Sequence, residues 1–538
     1  MTQRQRVTVA VVTALVAVTR WLALSRTLWD WDEAQFILAL RHFDVAAHHP
    51  HPPGFPLFIA TARSLCSLGF DEFHALQAIN FIAAVAIVPA MVLFARALGA
   101  EFSTALLSAV ILACFPNVWF YGGTALSDVP SMTLIVLAVG LLLSNRLYLG
   151  AIVLGVAAGI RPQNLLIAAV PFAIAIWQHR RRAVPPMLIA GTIVAISYGA
   201  AIYATGGWEI FARALQTHQE YLARFDAWTS PTRPPLTHLV DDFFIRPYRA
   251  QLINILTTLL VAIAAGRRTR PTLLALATFG PFCIAAWLML DRFSASRFAV
   301  GYAPLFAILA ADALSALKPR LKWIIGGAYV ALMIVWTWPA LEIVHTTVSP
   351  PVAAANWILA SRQRVIYVDP RMSAFADALL PDVARRSGTW SANGEYLLSD
   401  RKGEVTFRRR HGHLWDLARQ RYFEASVTPV HSPFRFGDGW YALESSRNDV
   451  WRWMRRRSTM QIAEPCTTLS IDFYVPDPRT TITLSLDGRV IDRVPGSAEF
   501  PRTYRVTAPR ELVVESDRWT STGDTRELAL RLNGLECR

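Results

Sequence analysis

Long apolar runs dominate the N-terminal part of the chain. They lie near residues 7–24, 74–95, 103–120, 126–144, 147–160, 163–177, 187–204, 251–265, 272–290, 298–317 and 323–341. A helix needs about 20 mostly apolar residues to cross a bilayer, with a range of about 17–25. The runs therefore predict about eleven transmembrane helices. Two of them, 147–160 and 163–177, are short and bracket Arg161-Pro162, which also suits a re-entrant pair. The run 55–68 is ambiguous, because it follows Pro52-Pro53-Gly54, has only 14 residues and contains Arg63.

Charge decides the role of 55–68. If it lies on the membrane surface, one side collects Arg4 and Arg6, Arg96, Arg146, Arg180 to Arg182, Arg267, Arg268 and Arg270, and Lys318, Arg320 and Lys322. If it spans, every later cluster changes sides, against the excess of Lys and Arg in cytoplasmic loops. The expectation is an interfacial helix at 55–68, a cytoplasmic N-terminus and an extracytoplasmic segment from about 342. Ala23-Leu24-Ser25 resembles a cleavage site, but the first run is long for a signal peptide and is broken by Arg20, so it reads as a retained span.

After about 342 no run is long enough to span. Residues 364–369 read as a strand and 371–380 as a short helix within a mixed α/β stretch. From about 466 the period becomes two: Leu469, Ile471, Phe473 and Val475 alternate with polar residues, as do Ile482, Leu484 and Leu486 before Asp487-Gly488, a hairpin signal. Leu528, Leu530 and Leu532 give a last strand. The predicted fold is a mainly α polytopic membrane domain (1–341), a mixed α/β region (342–440) and a β-sandwich-like domain (441–538).

Composition narrows the class. Hydrophobic residues are 53% and charged residues 17% of 538, against about 25% charged in ordinary soluble domains. That excludes a string of soluble domains and a disordered chain. The net charge of +14 invites a nucleic-acid partner, but the basic excess falls largely in one set of loops, so the bilayer is the predicted partner instead. Cys66, Cys114 and Cys283 belong to the apolar part. Cys466 and Cys537 share the tail, in a compartment that topology makes oxidising, and predict a disulfide. No Asn-x-Ser/Thr sequon occurs, which favours a bacterial protein.

The first outer loop carries the chemistry: Trp29-Asp30-Trp31-Asp32-Glu33, then His48-His49-Pro50-His51-Pro52-Pro53-Gly54. A general base must be a carboxylate or imidazole within hydrogen-bond reach of its proton, and Asp30, Asp32 and Glu33 all qualify. Asp128 in Ser127-Asp128-Val129-Pro130, Arg161 in Arg161-Pro162, and Arg292 and Arg297 around 291–298 recur at the same face. Ionisable groups at span ends are costly unless paired or functional. The bland alternatives are a solvated acidic rim, a helix cap at Asp128 and arginines reaching lipid phosphates. Together, carboxylates and guanidinium groups on one face suit proton removal coupled to departure of a phosphate.

The ordered set Asp32-Glu33, His51-Pro52-Pro53-Gly54, Ser127-Asp128, Arg161-Pro162 and Arg297-Phe298 resembles the type C (GT-C) membrane glycosyltransferases, in particular the group of protein O-mannosyltransferases and lipid A aminoarabinose transferase. The resemblance covers about 1–340. It implies transfer of a hexose or pentose from a polyprenyl-phosphate donor to a lipid, polysaccharide or protein acceptor on the extracytoplasmic face of a bacterial inner membrane, usually with inversion. It implies catalytic roles for Asp32, Glu33 and Asp128, and donor-phosphate contacts from Arg161, Arg297 and His51. His51 stands where some relatives have Lys. A divalent metal, Mg or Mn, held by Asp32, Asp128 and His48 is a further implication. The tail resembles extracytoplasmic sandwich regions of bacterial glycosyltransferases, in which Trp440, Tyr441, Trp451 and Trp453 either stack on sugars or fill the core. The rival readings are a flippase for lipid-linked sugars, which would show charges at mid-membrane and repeated halves, and a non-catalytic glycan-binding scaffold. The sugar, the acceptor and the oligomeric state stay open.

Overall fold

In lipid every backbone N–H and C=O must be satisfied within the segment, so apolar runs become helices. The computed structural model bears this out for every predicted run. It describes residues 1–538 apart from 232, 248–249, 363–364, 387–395, 410–422, 430–433, 446–449, 521–525 and 538. The described chain forms two units: 1–352 with 408–423, and 353–407 with 424–538.

The first unit is helical. Its elements are α1 (Gln3–Trp21), α2 (Trp31–Arg41), α3 (Pro56–Ser67), α4 (Glu72–Ala97), α5 (Phe102–Cys114), α6 (Pro116–Tyr121), α7 (Asp128–Leu143), α8 (Leu147–Ile160), α9 (Asn164–His179), α10 (Val184–Ala204), α11 (Trp208–Phe225), α12 (Leu236–Val240), α13 (Gln251–Arg267), α14 (Arg270–Met289), α15 (Ala295–Phe298), α16 (Ala303–Leu314) and α17 (Pro319–Thr346). Among the described residues, five segments are long and apolar enough to cross a membrane: Glu72–Ala97, Asn164–Ala204, Arg270–Met289, Ala295–Leu314 and Pro319–Ala360. The apolar helices α5, α7, α8 and α13 are shorter. The chain is a multi-pass membrane protein; length and apolarity alone do not reproduce the predicted count of eleven.

Local signals set the helix ends. Thr2 and Gln5 form a capping box on α1, Asp71 caps α4, and Thr269 caps α14. α3 starts at Pro56, after Gly54 and Phe55 in the left-handed region (φ 104° and 49°). A Cβ on Gly54 would lie 2.9 Å from Val45 Cγ2, so this turn needs glycine twice over. At 12 residues, α3 is about 18 Å long, well short of a roughly 30 Å hydrocarbon core. It is tied to its neighbours instead. Arg63 of α3 donates to the carbonyls of Ala39 and Leu40 at the end of α2, and α2 is itself joined to α4 by the pair Arg41–Glu72 at 2.6 Å.

The second unit follows from α18 (Pro350–Ala360), which begins just inside the helical unit, and contains α19 (Ser373–Leu379). The strands β1 (Val365–Val368), β2 (Ala384–Arg386), β3 (Tyr396–Ser399), β4 (Val405–Arg408) and β5 (Glu424–Pro429) form one sheet in the order β2-β1-β3-β5-β4. Of the predicted strand 364–369, Arg364 lies outside the described residues. Ten further strands follow: β6 (Phe434–Phe436), β7 (Trp440–Ser445), β8 (Val450–Met454), β9 (Arg457–Ile462), β10 (Thr468–Tyr474), β11 (Thr481–Leu486), β12 (Arg489–Pro495), β13 (Arg502–Arg505), β14 (Glu511–Ser516) and β15 (Leu530–Cys537). They make two five-stranded sheets, β13-β10-β15-β8-β7 and β12-β11-β14-β9-β6. Their shared core includes Leu469, Ile471, Phe473, Ile482, Leu484 and Leu530. Cys466 and Cys537 are bonded. The sandwich begins at Phe434, ahead of the predicted boundary at 441, and the helical unit runs past 341 to Val352.

The aromatic residues of the sandwich are engaged by protein groups. Trp440 packs against the core and donates to the Thr459 carbonyl. Arg531 lies over Trp451 at 5.2 Å, and Arg526 lies over Tyr441 at 5.2 Å.

Candidate active site

The loop after α1 turns into α2 through a capping box. Asp30 is the N-cap, and its Oδ1 accepts from the Asp32 N–H at 3.0 Å. Glu33 reaches back: its Oε2 accepts from the N–H groups of Trp29 (2.5 Å) and Asp30 (2.8 Å), and its Oε1 accepts from Ala125 N–H (2.8 Å). Glu33 is fully buried. Burial pushes it up to about 7 against the three N–H groups that pull it down. Its oxygens are therefore spent on the backbone, whereas Asp32, one residue earlier on the helix, turns to the charged cluster.

That cluster is centred on Arg297, which is 2% exposed. Its Nη1 lies 2.5 Å from Asp32 Oδ2 and 3.6 Å from Asp30 Oδ1, and its Nε lies 3.0 Å from Asp128 Oδ2. Asp128 Oδ2 also receives Arg161 Nη2 at 3.0 Å, while Arg161 Nε donates to Ser127 Oγ at 3.0 Å. Each member comes from a span end: Asp128 from the first turn of α7, Arg161 from the end of α8, and Arg297 from the short α15 in the broken segment before α16. Charges buried this deeply persist only when paired, and here three carboxylates share two guanidinium groups.

His51 completes one side. Its Nδ1 donates to Gln35 Oε1 at 3.0 Å and lies 3.8 Å from Asp32 Oδ1. Burial pushes this imidazole down to about 4; Asp32 opposes the shift, and Arg297, His218 and Arg161 add to it. Arg161 also lies over the Phe55 ring at 5.3 Å.

Buried amides hold the backbone under the site. Gln77 Nε2 donates to the carbonyls of Ser25 and Gly123, and Asn80 Nδ2 to those of Tyr121 and Thr124. The turn 121–125, which supplies the Ala125 N–H to Glu33, is thereby fixed. Asn117 Nδ2 donates to the Ser296 carbonyl at 2.9 Å and braces the segment carrying Arg297.

The structure thus brings together five of the predicted residues: Asp32, Asp128, Arg161, Arg297 and His51. Glu33 is beside them but faces the backbone. His48 is exposed on the neighbouring turn, and Arg292 is exposed ahead of α15. Among the described residues no group of three His, Cys, Asp or Glu side chains is gathered as a metal site. Arg297 bridges Asp32 and Asp128, so the three residues expected to hold a divalent ion do not fit one as arranged. Sequence reasoning missed Gln77, Asn80, Asn117, Gln35 and His218. The amides at 77 and 80, one helical turn apart in an apolar run, were the available signal.

This geometry can be set beside known proteins. The chain is similar to a lipid-linked-sugar glucosyltransferase. That relative is the Dol-P-Glc:Glc(2)Man(9)GlcNAc(2)-PP-Dol alpha-1,2-glucosyltransferase of Yarrowia lipolytica, 34% identical over 149 residues. The match covers 25% of this chain and spans 28% of the relative's length. No family model matches the chain. Among solved structures, ArnT from Cupriavidus metallidurans bound to undecaprenyl phosphate aligns with TM-score 0.41 and 15% identity, over 70% of this chain and 75% of that one. The arabinosyltransferase EmbB from Mycobacterium smegmatis aligns with TM-score 0.42 and 11% identity, over 100% of this chain and 65% of that one.

Proposed function

We propose that this protein is an integral membrane glycosyltransferase of the GT-C type, which moves a hexose or pentose from a polyprenyl-phosphate donor to an acceptor hydroxyl. The acceptor is a lipid, a polysaccharide or a protein, and the reaction takes place on the extracytoplasmic face of a bacterial inner membrane. The observation that carries this reading is the near-buried Asp32 carboxylate, held 2.5 Å from Arg297, with Arg161 and Asp128 directly behind. The similarity to a glucosyltransferase over 149 residues supports it.

In this reading the acceptor oxygen attacks the anomeric carbon and its proton passes to Asp32. The bond from that carbon to the donor phosphate oxygen breaks, and the polyprenyl phosphate leaves with the electron pair. Attack opposite the leaving group inverts the anomeric centre. Arg297 and Arg161, both largely buried, offset the charge that develops on the phosphate. Asp128 holds both guanidinium groups and is a positioning residue. No step is routed through a metal ion.

The test uses protein in nanodiscs, a panel of polyprenyl-phosphate sugars and native envelope extract as acceptor, with release of polyprenyl phosphate as the readout. Asp32→Asn is expected to lower release by about 10²–10⁴-fold. Full activity in that variant, or no release from any donor by the wild type, would overturn the reading and leave a flippase or a scaffold.

A further inference from the structure

The segment between α10 and α13 contains no acid or base recognisable from its spacing, yet it sends an element into the site. α11 is an 18-residue helix whose Phe211, Leu215, His218 and Leu222 fall on one face at helical spacing, with Phe211 buried and the others half-buried. His218 meets the catalytic loop: its ring centroid lies 6.3 Å from that of His51. Tyr221, one turn further on, stacks on His218 at 6.5 Å with 13° between the ring planes. His51 in turn packs edge-on against Phe55 at 4.8 Å. Three rings, His51, His218 and Tyr221, thus run outward from Asp32 Oδ1, whereas Arg297 meets Oδ2; Phe55, buried and with Arg161 over its ring, backs His51 from the arginine side.

The character of the site changes across Asp32. On one side stand Arg161 and Arg297, the groups suited to a phosphate. On the other stand ring faces and imidazole nitrogens. Burial pushes both imidazoles down, so this wall is uncharged at neutral pH. Flat apolar faces edged by neutral hydrogen-bonding groups match the alternating C–H and O–H surface of a sugar ring.

We infer that His51, His218 and Tyr221 form the subsite for the donor's sugar ring, backed by the buried Phe55, with His218 of α11 as a sugar-contacting residue. This rests on the proposed glycosyltransferase function. It divides the donor in two: the phosphate goes to the arginines and the sugar to the rings. Selectivity among sugars then lies in α11, outside the acidic loop.

The test separates the two halves of the donor. Binding is measured in nanodiscs on the Asp32→Asn background, so that nothing turns over, with each polyprenyl-phosphate hexose and pentose and with bare undecaprenyl phosphate. His218→Ala is expected to weaken binding of the preferred glycosylated donor by about tenfold or more, while bare undecaprenyl phosphate changes by less than about twofold. Tyr221→Ala is expected to follow the same pattern, and His218→Gln, which keeps hydrogen-bonding atoms but loses the ring, to fall between. Equal weakening of both ligands, or of neither, overturns the assignment while leaving the glycosyltransferase reading intact. If no glycosylated donor binds His218-containing protein better than bare undecaprenyl phosphate, and none is turned over by the wild type, both fall together.

Discussion

Glu33 and Asp32 are adjacent acids in one short loop, and the structure gives them different work. Glu33→Gln separates them. The carboxylate accepts three buried backbone N–H groups, from Trp29, Asp30 and Ala125. An amide keeps one oxygen, enough for the two donors that share Oε2, and turns an NH₂ toward the Ala125 N–H. One buried donor is then unsatisfied, at a cost of about 1–3 kcal/mol. Glu33→Ala strands all three, at roughly three times that cost. The measurement is thermal unfolding in detergent at pH 8, above the value near 7 to which burial pushes this group, alongside polyprenyl-phosphate release per folded molecule. The expected result is a melting point several degrees lower, with most of the specific activity retained per folded molecule, whereas Asp32→Asn loses transfer per folded molecule, its own melting point falling too because Arg297 loses a buried partner. Glu33→Gln melting as wild type with transfer abolished would refute the reasoning, because its carboxylate would then be serving chemistry that its hydrogen bonds leave no room for.

Other consequences are open to measurement. Arg297→Lys keeps the charge but presents a single ammonium in place of the fork that spans Asp32 and Asp128, and is expected to lower transfer by about 100-fold or more; wild-type activity would show that the bridge is dispensable. His51 has a folded value near 4, below its ordinary 6.5, so its contribution to stability is complete above pH 6.5 and is lost as the pH falls toward 4. The melting temperature is expected to drop across that window, and less steeply in His51→Asn. Cys466→Ser opens a bond that joins residues 71 apart, worth about 4 kcal/mol in the chain-entropy model. Unfolding of the tail should move to lower denaturant in the variant, and wild type in reductant should match it.

The apolar runs were legible because a lipid-exposed helix has to be apolar over its whole length; each became a helix, and the 14-residue run at 55–68 became the short α3. The sandwich strands were legible through their period of two. α11 was not. Its charges at Glu209, Arg213, Glu220 and Arg224 break the apolar run, and only the spacing of Phe211, Leu215, His218 and Leu222 marks it. The convergence of Asp32, Asp128, Arg161 and Arg297 could be anticipated from their shared membrane face. The choice among Asp30, Asp32 and Glu33 was harder, because three acids within four positions are equivalent to a pattern search. Their spacing did contain a clue. Asp30 and Glu33 stand in the N-cap and third-residue positions of a capping box, and that leaves Asp32 as the acid not committed to the helix end. No spacing reveals that Arg297 comes from 265 residues away to sit against Asp32, one of the residues expected to hold a metal ion.

The strand order of the sandwich has a bearing on how the protein is made. β15 lies in the middle of its sheet, between β10 and β8, although both are synthesised well before it. After Tyr474 completes β10, another 55 residues must be added before Leu530 begins β15. At about 5–20 residues per second, that is a wait of roughly 3–11 s. Throughout it, β10 and β8 each present an unpaired edge, the feature that invites pairing with the wrong strand. The tail is therefore most vulnerable during its own synthesis, and slowing translation between 475 and 529 should raise the misfolded fraction more than slowing it anywhere earlier in the sandwich.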